Sequence, residues 1–164
     1  MGSQLSQTVD LTATPDEVFD HLDDQTRLAA HMTKSSMMMA GGRMSYDFDE
    51  GRGQVVGSHI RMDGSALGLR LFVDEVVTAR DRPHSKQWET AGASQLVILS
   101  GYRMGFDITP TALGSRLTVW IDYDLPTGPR RWLGLLLGRF YGRWCLGGTT
   151  ADAVKYFKGK RGGK

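Results

Sequence analysis

The chain has 164 residues, 40% hydrophobic and 23% charged, with a formal net charge of +2. This length and balance describe one globular domain with a substantial core and exclude a disordered chain. Cys145 is the single cysteine, which excludes an intrachain disulfide and a cysteine metal site, while four cations fall in the terminal KGKRGGK, leaving the body at −2 and excluding a broadly basic nucleic-acid-binding surface.

SQLSQTVDL alternates Leu5, Gln7, Val9 and Leu11 with polar residues, as a half-buried strand does. TPDE then starts a helix: Thr14 is placed to cap it, Pro15 suits its first position and Glu17 completes a capping box. Asp16 and Glu17 complement the positive end of the helix dipole, and Val18, Phe19 and Leu22 form the apolar face. Asp24 opens a second short helix over QTRLAAHM. SSMMMAGGRM follows, and with Met32 it gathers a cluster of flexible thioethers that adapt to irregular apolar shapes.

From Met37 to Pro126, strand patterns alternate with turns: RMSYDFD, QVVGSHIRMDG, LGLRLFVDEVVTAR, KQWETAG, QLVILSGYRMGFDI and SRLTVWIDYDL. Strands with such short connections form an antiparallel meander. EGRGQ lacks a G-K-[ST] ending and sits between two strands, so it reads as a turn rather than a phosphate loop. After LPTGP the pattern predicts a helix from Pro129 to Lys158, about 45 Å long. Its expected apolar face carries Leu133, Leu137, Phe140, Trp144, Gly147, Ala151 and Val154, and Gly134, Gly138 and Gly142 form a row of small residues. The layout is α+β: a curved antiparallel sheet of about six to seven strands wrapped around a long C-terminal helix, with two short helices after the first strand. Residues 1–158 form the one expected domain, and 159–164 a basic, disordered tail.

This order resembles the helix-grip fold of the SRPBCC superfamily, the START-like proteins that include polyketide cyclases and dehydrases. VDLTATPDEVFDHLDD is similar to the family's opening strand and P-x-x-V-F/W helix, and YRMGFDITPTALGSRLTVWIDYDLP to its last hairpin. The likeness extends over nearly the whole chain and rests on fold motifs, since the superfamily hosts transporters, ligand sensors and cyclases. It implies a deep apolar cavity between sheet and long helix, entered near the short helices. Met37 and Met39 fall beside that entrance.

Glu75 is the most informative residue. In LGLRLFVDEVV the inward phase runs Leu67, Leu69, Leu71, Val73, Glu75, Val77, which sets one carboxylate among aliphatic neighbours. Burial raises such a pKa and equips the group as a general acid or base, or as an anchor for a ligand hydroxyl. Tyr46, Trp88, Tyr102 and Tyr123 join an apolar body to one polar handle, as ligand-orienting groups do. With Met37, Met39, Leu71, Leu137, Phe140 and Trp144 they complete the expected ligand-binding set. The histidines His21, His31, His59 and His84 show no metal-binding spacing, so neither metal nor cofactor is expected.

The first functional reading is binding of a hydrophobic small molecule such as a lipid, quinone or polyketide, by carriage or sequestration. The second is a cyclase- or dehydrase-type enzyme using Glu75 and a pocket tyrosine. The third is an interaction module with peripheral membrane contact through Arg130, Arg131, Arg139, Arg143, Trp132, Leu135 and Trp144. The start MGSQLSQTVDLTATPDE lacks the charged and apolar regions of a secretory signal, and Arg139 and Arg143 interrupt the most apolar run, so a cytoplasmic protein is expected.

Overall fold

The computed structural model describes residues 3–28, 44–66, 69–92, 99–125 and 127–161. Strand β1 (Ser3–Leu11) leads into α1 (Pro15–Asp23) and α2 (Gln25–Leu28). Strands β2 (Met44–Phe48), β3 (His59–Ala66), β4 (Leu69–Asp81), β5 (Ser85–Thr90), β6 (Gly101–Thr111) and β7 (Gly114–Asp124) follow. A 3₁₀ turn at Gly128–Arg130 then enters α3 (Arg131–Arg161). The strands form a seven-stranded sheet in the order β1-β7-β6-β5-β4-β3-β2, antiparallel at every pairing. This is the curved sheet and long helix of a helix-grip fold, as the element order predicts.

The capping box forms: Glu17 N–H donates to Thr14 Oγ1 at 3.3 Å, and Thr14 N–H to Glu17 Oε2 at 3.1 Å. Two of the helix's otherwise unpaired N–H groups are thereby satisfied, holding the chain's direction as it leaves β1. Asp24 caps the second turn, accepting from Thr26 N–H at 3.0 Å. Phe19, wholly buried on α1, meets Phe106 edge-on at 5.6 Å, and Phe106 meets Trp88 at 6.3 Å. Burying a side chain of this size contributes roughly 1.5–3 kcal/mol, so this aromatic chain fixes α1 against the middle of the sheet.

A buried ion cluster pins the end of α1 to the strands. Lys86, with no exposed surface, donates from Nζ to Asp23 Oδ1 at 2.9 Å and to the Asp23 carbonyl at 3.2 Å. Arg80 clasps the same carboxylate through Nη2 at 2.8 Å and Nε at 3.2 Å. Strand β4 shifts register between Val77 and Ala79, a bulge that adds local bend to the sheet.

The seating of α3 corrects the predicted apolar face. Among the side chains described, Gly134, Gly138, Gly142, Cys145, Leu146, Thr149, Thr150, Ala153 and Phe157 are buried, while Ala151 is exposed. Leu137 and Phe140, expected in the ligand set, are 40% and 59% exposed. The glycines decide the rotation. A Cβ on Gly142 would stand 2.8 Å from Leu5 Cδ1, and one on Gly138 would stand 3.3 Å from Tyr123 Cε2. The helix approaches β1 and β7 along its row without side chains, and that turns Leu137 and Phe140 outward.

Candidate functional site

Because α3 lies chiefly over β1 and β7, the sheet from β2 to β6 curves past it and leaves a cavity. Four residues that the sequence singles out meet there: Tyr46 on β2, Glu75 on β4, Trp88 on β5 and Tyr102 on β6. Met62, Met104 and Ile121 add apolar wall, α2 supplies Gln25 and Leu28, and α3 supplies Tyr141, Cys145 and Thr149. The cavity measures about 50 Å³. That is room for a few waters and far below the few hundred Å³ of an occupied ligand pocket.

Glu75 lines the cavity, 3% exposed, with Val73 and Val77 on either side of it in the same inward row. The bulge in β4 begins beyond it, so its inward phase is kept. The Tyr102 hydroxyl donates to Glu75 Oε1. Burial pushes the Glu75 carboxyl up from the usual 4.5 to about 7, opposed by the Tyr102 hydroxyl, then the nearby Trp88 indole and the more distant Lys86 cation. Burial likewise holds Tyr46, Tyr102 and Tyr141 well above the usual phenol range, with the Glu75 charge adding to it. Three neutral phenols thus surround one carboxyl that exchanges its proton near neutrality.

Three polar atoms on this wall have no hydrogen-bond partner among the described residues: Glu75 Oε2, Tyr46 Oη and Gln25 Oε1. A buried polar atom without a partner costs about 1–3 kcal/mol, so their convergence on one small space marks a place that receives hydrogen bonds from something else. Cys145 offers no nucleophile. Burial pushes its thiol up to about 12, opposed by a hydrogen bond with Tyr141, and a protonated thiol is inert.

The other expected positions fall elsewhere. Leu71 and Trp144 pack beside Met44, Met62 and Val73 on the cavity's flank. Tyr123 belongs to the main core, beneath Gly138 and Gly142. Leu137 and Phe140 point away from the cavity, for the reason given above. Met37 and Met39 lie outside the described residues. Sequence reasoning passed over Gln25, Tyr141 and Lys86. Lys86 shares the inward phase of Trp88 in SKQWET, a signal that was present, whereas Tyr141 becomes legible only once the glycine row is known to face the sheet. No cluster of metal-ligating side chains occurs among the described residues.

A family model described as polyketide cyclase/dehydrase and lipid transport matches residues 3–147. The chain belongs to that family. Its members are known for binding hydrophobic small molecules, and the match makes this an SRPBCC protein of the polyketide cyclase-like kind. No curated protein matches the sequence. Among solved structures, a norcoclaurine synthase point mutant of Thalictrum flavum, in complex with a transition-state analogue, superposes with a TM-score of 0.68 at 13% identity, covering 98% of this chain and 97% of that one. The di-domain ARO/CYC protein StfQ of the steffimycin biosynthetic pathway gives 0.67 at 15% identity, covering 100% of this chain and 53% of that one. Ara h 8.0201 gives 0.63 at 13% identity, covering 97% and 99%. At these identities the likeness is one of fold. Family membership supports hydrophobic ligand binding or cyclase activity for this chain.

Proposed function

We propose that this protein binds a hydrophobic small molecule, of the lipid, quinone or polyketide kind, by placing a hydroxyl or carbonyl group of that molecule against Glu75 and Tyr46. One observation carries the reading: Glu75 Oε2 and Tyr46 Oη are buried, unpartnered and turned into the same apolar cavity. A ligand oxygen between them would receive a hydrogen bond from the Tyr46 phenol and donate to, or accept from, the Glu75 carboxyl according to its protonation. The rest of the ligand needs more room than the cavity holds. Met62 and Met104, unbranched and polarizable, are the wall residues best able to yield that space.

Native mass spectrometry of freshly purified protein, followed by solvent extraction, tests this directly. A stoichiometric apolar adduct that weakens in the Tyr46→Phe and Glu75→Gln variants is the expected result. An adduct indifferent to both substitutions would overturn the assignment of this site.

A second reading is favoured by the protonation of Glu75 itself. A carboxyl titrating at about 7 is matched to general acid–base work at neutral pH, and Tyr102, donating to Oε1, would leave Oε2 to carry the proton. The site would then serve a cyclase or dehydrase that moves protons at a ligand carbonyl. Turnover that disappears in Glu75→Gln while ligand binding persists supports this reading; retained turnover in that variant rejects it.

A further inference from the structure

The outer face of α3 over its first three turns is both apolar and cationic. Trp132, Leu135, Leu136 and Phe140 are 65%, 58%, 64% and 59% exposed, and Leu137 is 40% exposed. Arg131, Arg139 and Arg143 are exposed on the same turns. Trp132, Leu136, Arg139, Phe140 and Arg143 fall at i, i+4, i+7, i+8 and i+11, so they form a continuous stripe opposite the buried glycines. Alongside it, Leu5, Leu125, Leu135 and Arg139 line a surface groove that widens the same face. A soluble domain rarely shows so many large apolar side chains together unless the patch meets something.

Charge identifies what it meets. The sequence holds no Asp or Glu between Asp124 and Asp152, so the turns of α3 that carry these arginines carry no acidic residue. They are interleaved with the apolar groups rather than gathered at a rim. A protein surface would have to match that alternation with separate acidic and apolar pockets. A lipid surface supplies both everywhere: acyl chains accept Trp132, Leu136 and Phe140, and guanidinium groups rise along their aliphatic stems to anionic headgroups.

We infer that the exposed face of α3 from Arg131 to Arg143 docks peripherally on an anionic lipid surface. The helix lies in the interface plane and does not span it: no helix among the described residues is long and apolar enough to cross a membrane. The inference is independent of what the cavity binds, and it assigns to Leu137 and Phe140 an exterior role in place of the interior one that their spacing predicts.

The full chain is tested by flotation with phosphatidylcholine vesicles and with vesicles that also contain phosphatidylglycerol. Binding is expected to the anionic vesicles only, and to fall as salt is added. The pair Arg139→Glu/Arg143→Glu, and separately the pair Leu136→Ser/Phe140→Ser, should each reduce binding roughly tenfold or more. Both pairs alter exposed side chains, so unchanged far-ultraviolet dichroism and melting accompany the loss. Equal binding to both vesicle types, or wild-type binding by both folded variants, overturns the inference. So does loss of binding on removal of residues 159–164 with the face intact, which would assign attraction to the basic tail. Self-association that the serine pair abolishes, with no vesicle binding at any salt, would assign the face to a second copy of the chain instead.

Discussion

The hydroxyl of Tyr102 on β6 donates to the carboxyl of Glu75 on β4 across the whole width of β5, the strand between them. Such a reach is open only on the concave side of a curved sheet, where side chains of alternate strands converge. The contact therefore joins the shape of the sheet to the protonation of the one carboxyl in its hollow. On β5 it is Thr90 that stands opposite Glu75, and Trp88, two residues along, lines the same cavity.

Glu75 makes stability depend on pH. Its folded pKa of about 7 stands above the usual 4.5, so between those values the folded state binds the proton more tightly than the unfolded one. The contribution is fully present below about 4.5 and is lost as pH rises through about 7. That span corresponds to a loss on the order of 3 kcal/mol. Glu75→Gln, which cannot ionise, should flatten this decline, and chemical denaturation at pH 5 and pH 8 measures it.

Tyr102→Phe removes the hydroxyl that favours the charged carboxylate, so the Glu75 pKa should rise further. Carbon-detected titration of the labelled side chain reads the change. A stability loss of about 1–3 kcal/mol accompanies it, since Oε1 joins Oε2 without a partner. A pKa that falls would show that the hydroxyl does not stabilise the charge.

Lys86→Met should destabilise the fold by roughly 3–5 kcal/mol, as breaking a buried ion pair does. Asp23 keeps Arg80, but its Oδ1 and its carbonyl lose the Lys86 ammonium. The variant should also raise the Glu75 pKa, because the lysine charge favours the carboxylate. A purely packing role for Lys86 leaves that titration unmoved.

Two glycine substitutions should differ in sign. A Cβ on Gly105 would meet the Lys86 carbonyl at 2.7 Å and the Trp120 ring at 2.6 Å. Neither a backbone oxygen nor a packed indole yields easily, so Gly105→Ala should cost roughly 1–3 kcal/mol. On α3 a Cβ at Gly147 finds only Gln7 Oε1, at 3.8 Å. Gly147→Ala should stabilise by up to about 1 kcal/mol through helix propensity. Paired urea melts compare them.

Cys145 should resist thiol reagents in the folded protein and react fully after denaturation, since its buried thiol is pushed up to about 12. Reaction with Ellman's reagent, with and without guanidinium, gives the comparison.

What the sequence makes legible here is period and punctuation. The alternation in LFVDEVV places Glu75 inward because a strand has period two and one face of this sheet is buried. The box TPDE marks the start of α1 for an equally local reason. The face of α3 is a different matter. Its apolar residues outnumber what the core accepts, and hydropathy cannot say which of them the sheet will choose. Steric approach chose the glycines, a criterion that exists only once Leu5 and Tyr123 are opposite them. The three unpartnered polar atoms of the cavity come from α2, β2 and β4, and only the folded sheet brings them together.

The pairing of β1 with β7 joins the earliest strand to the latest, Ser3 opposite Tyr123 and Leu11 opposite Ser115. Contacts so distant along the chain form late, because a loop of more than a hundred residues must close before any of them is rewarded. The meander from β2 to β6 can assemble from neighbours, whereas the bed on which Gly142 meets Leu5 must wait for that closure. Docking of α3 then falls after the main barrier to folding, and substitutions at Leu5 or Gly142 would act on the unfolding rate more than on the folding rate.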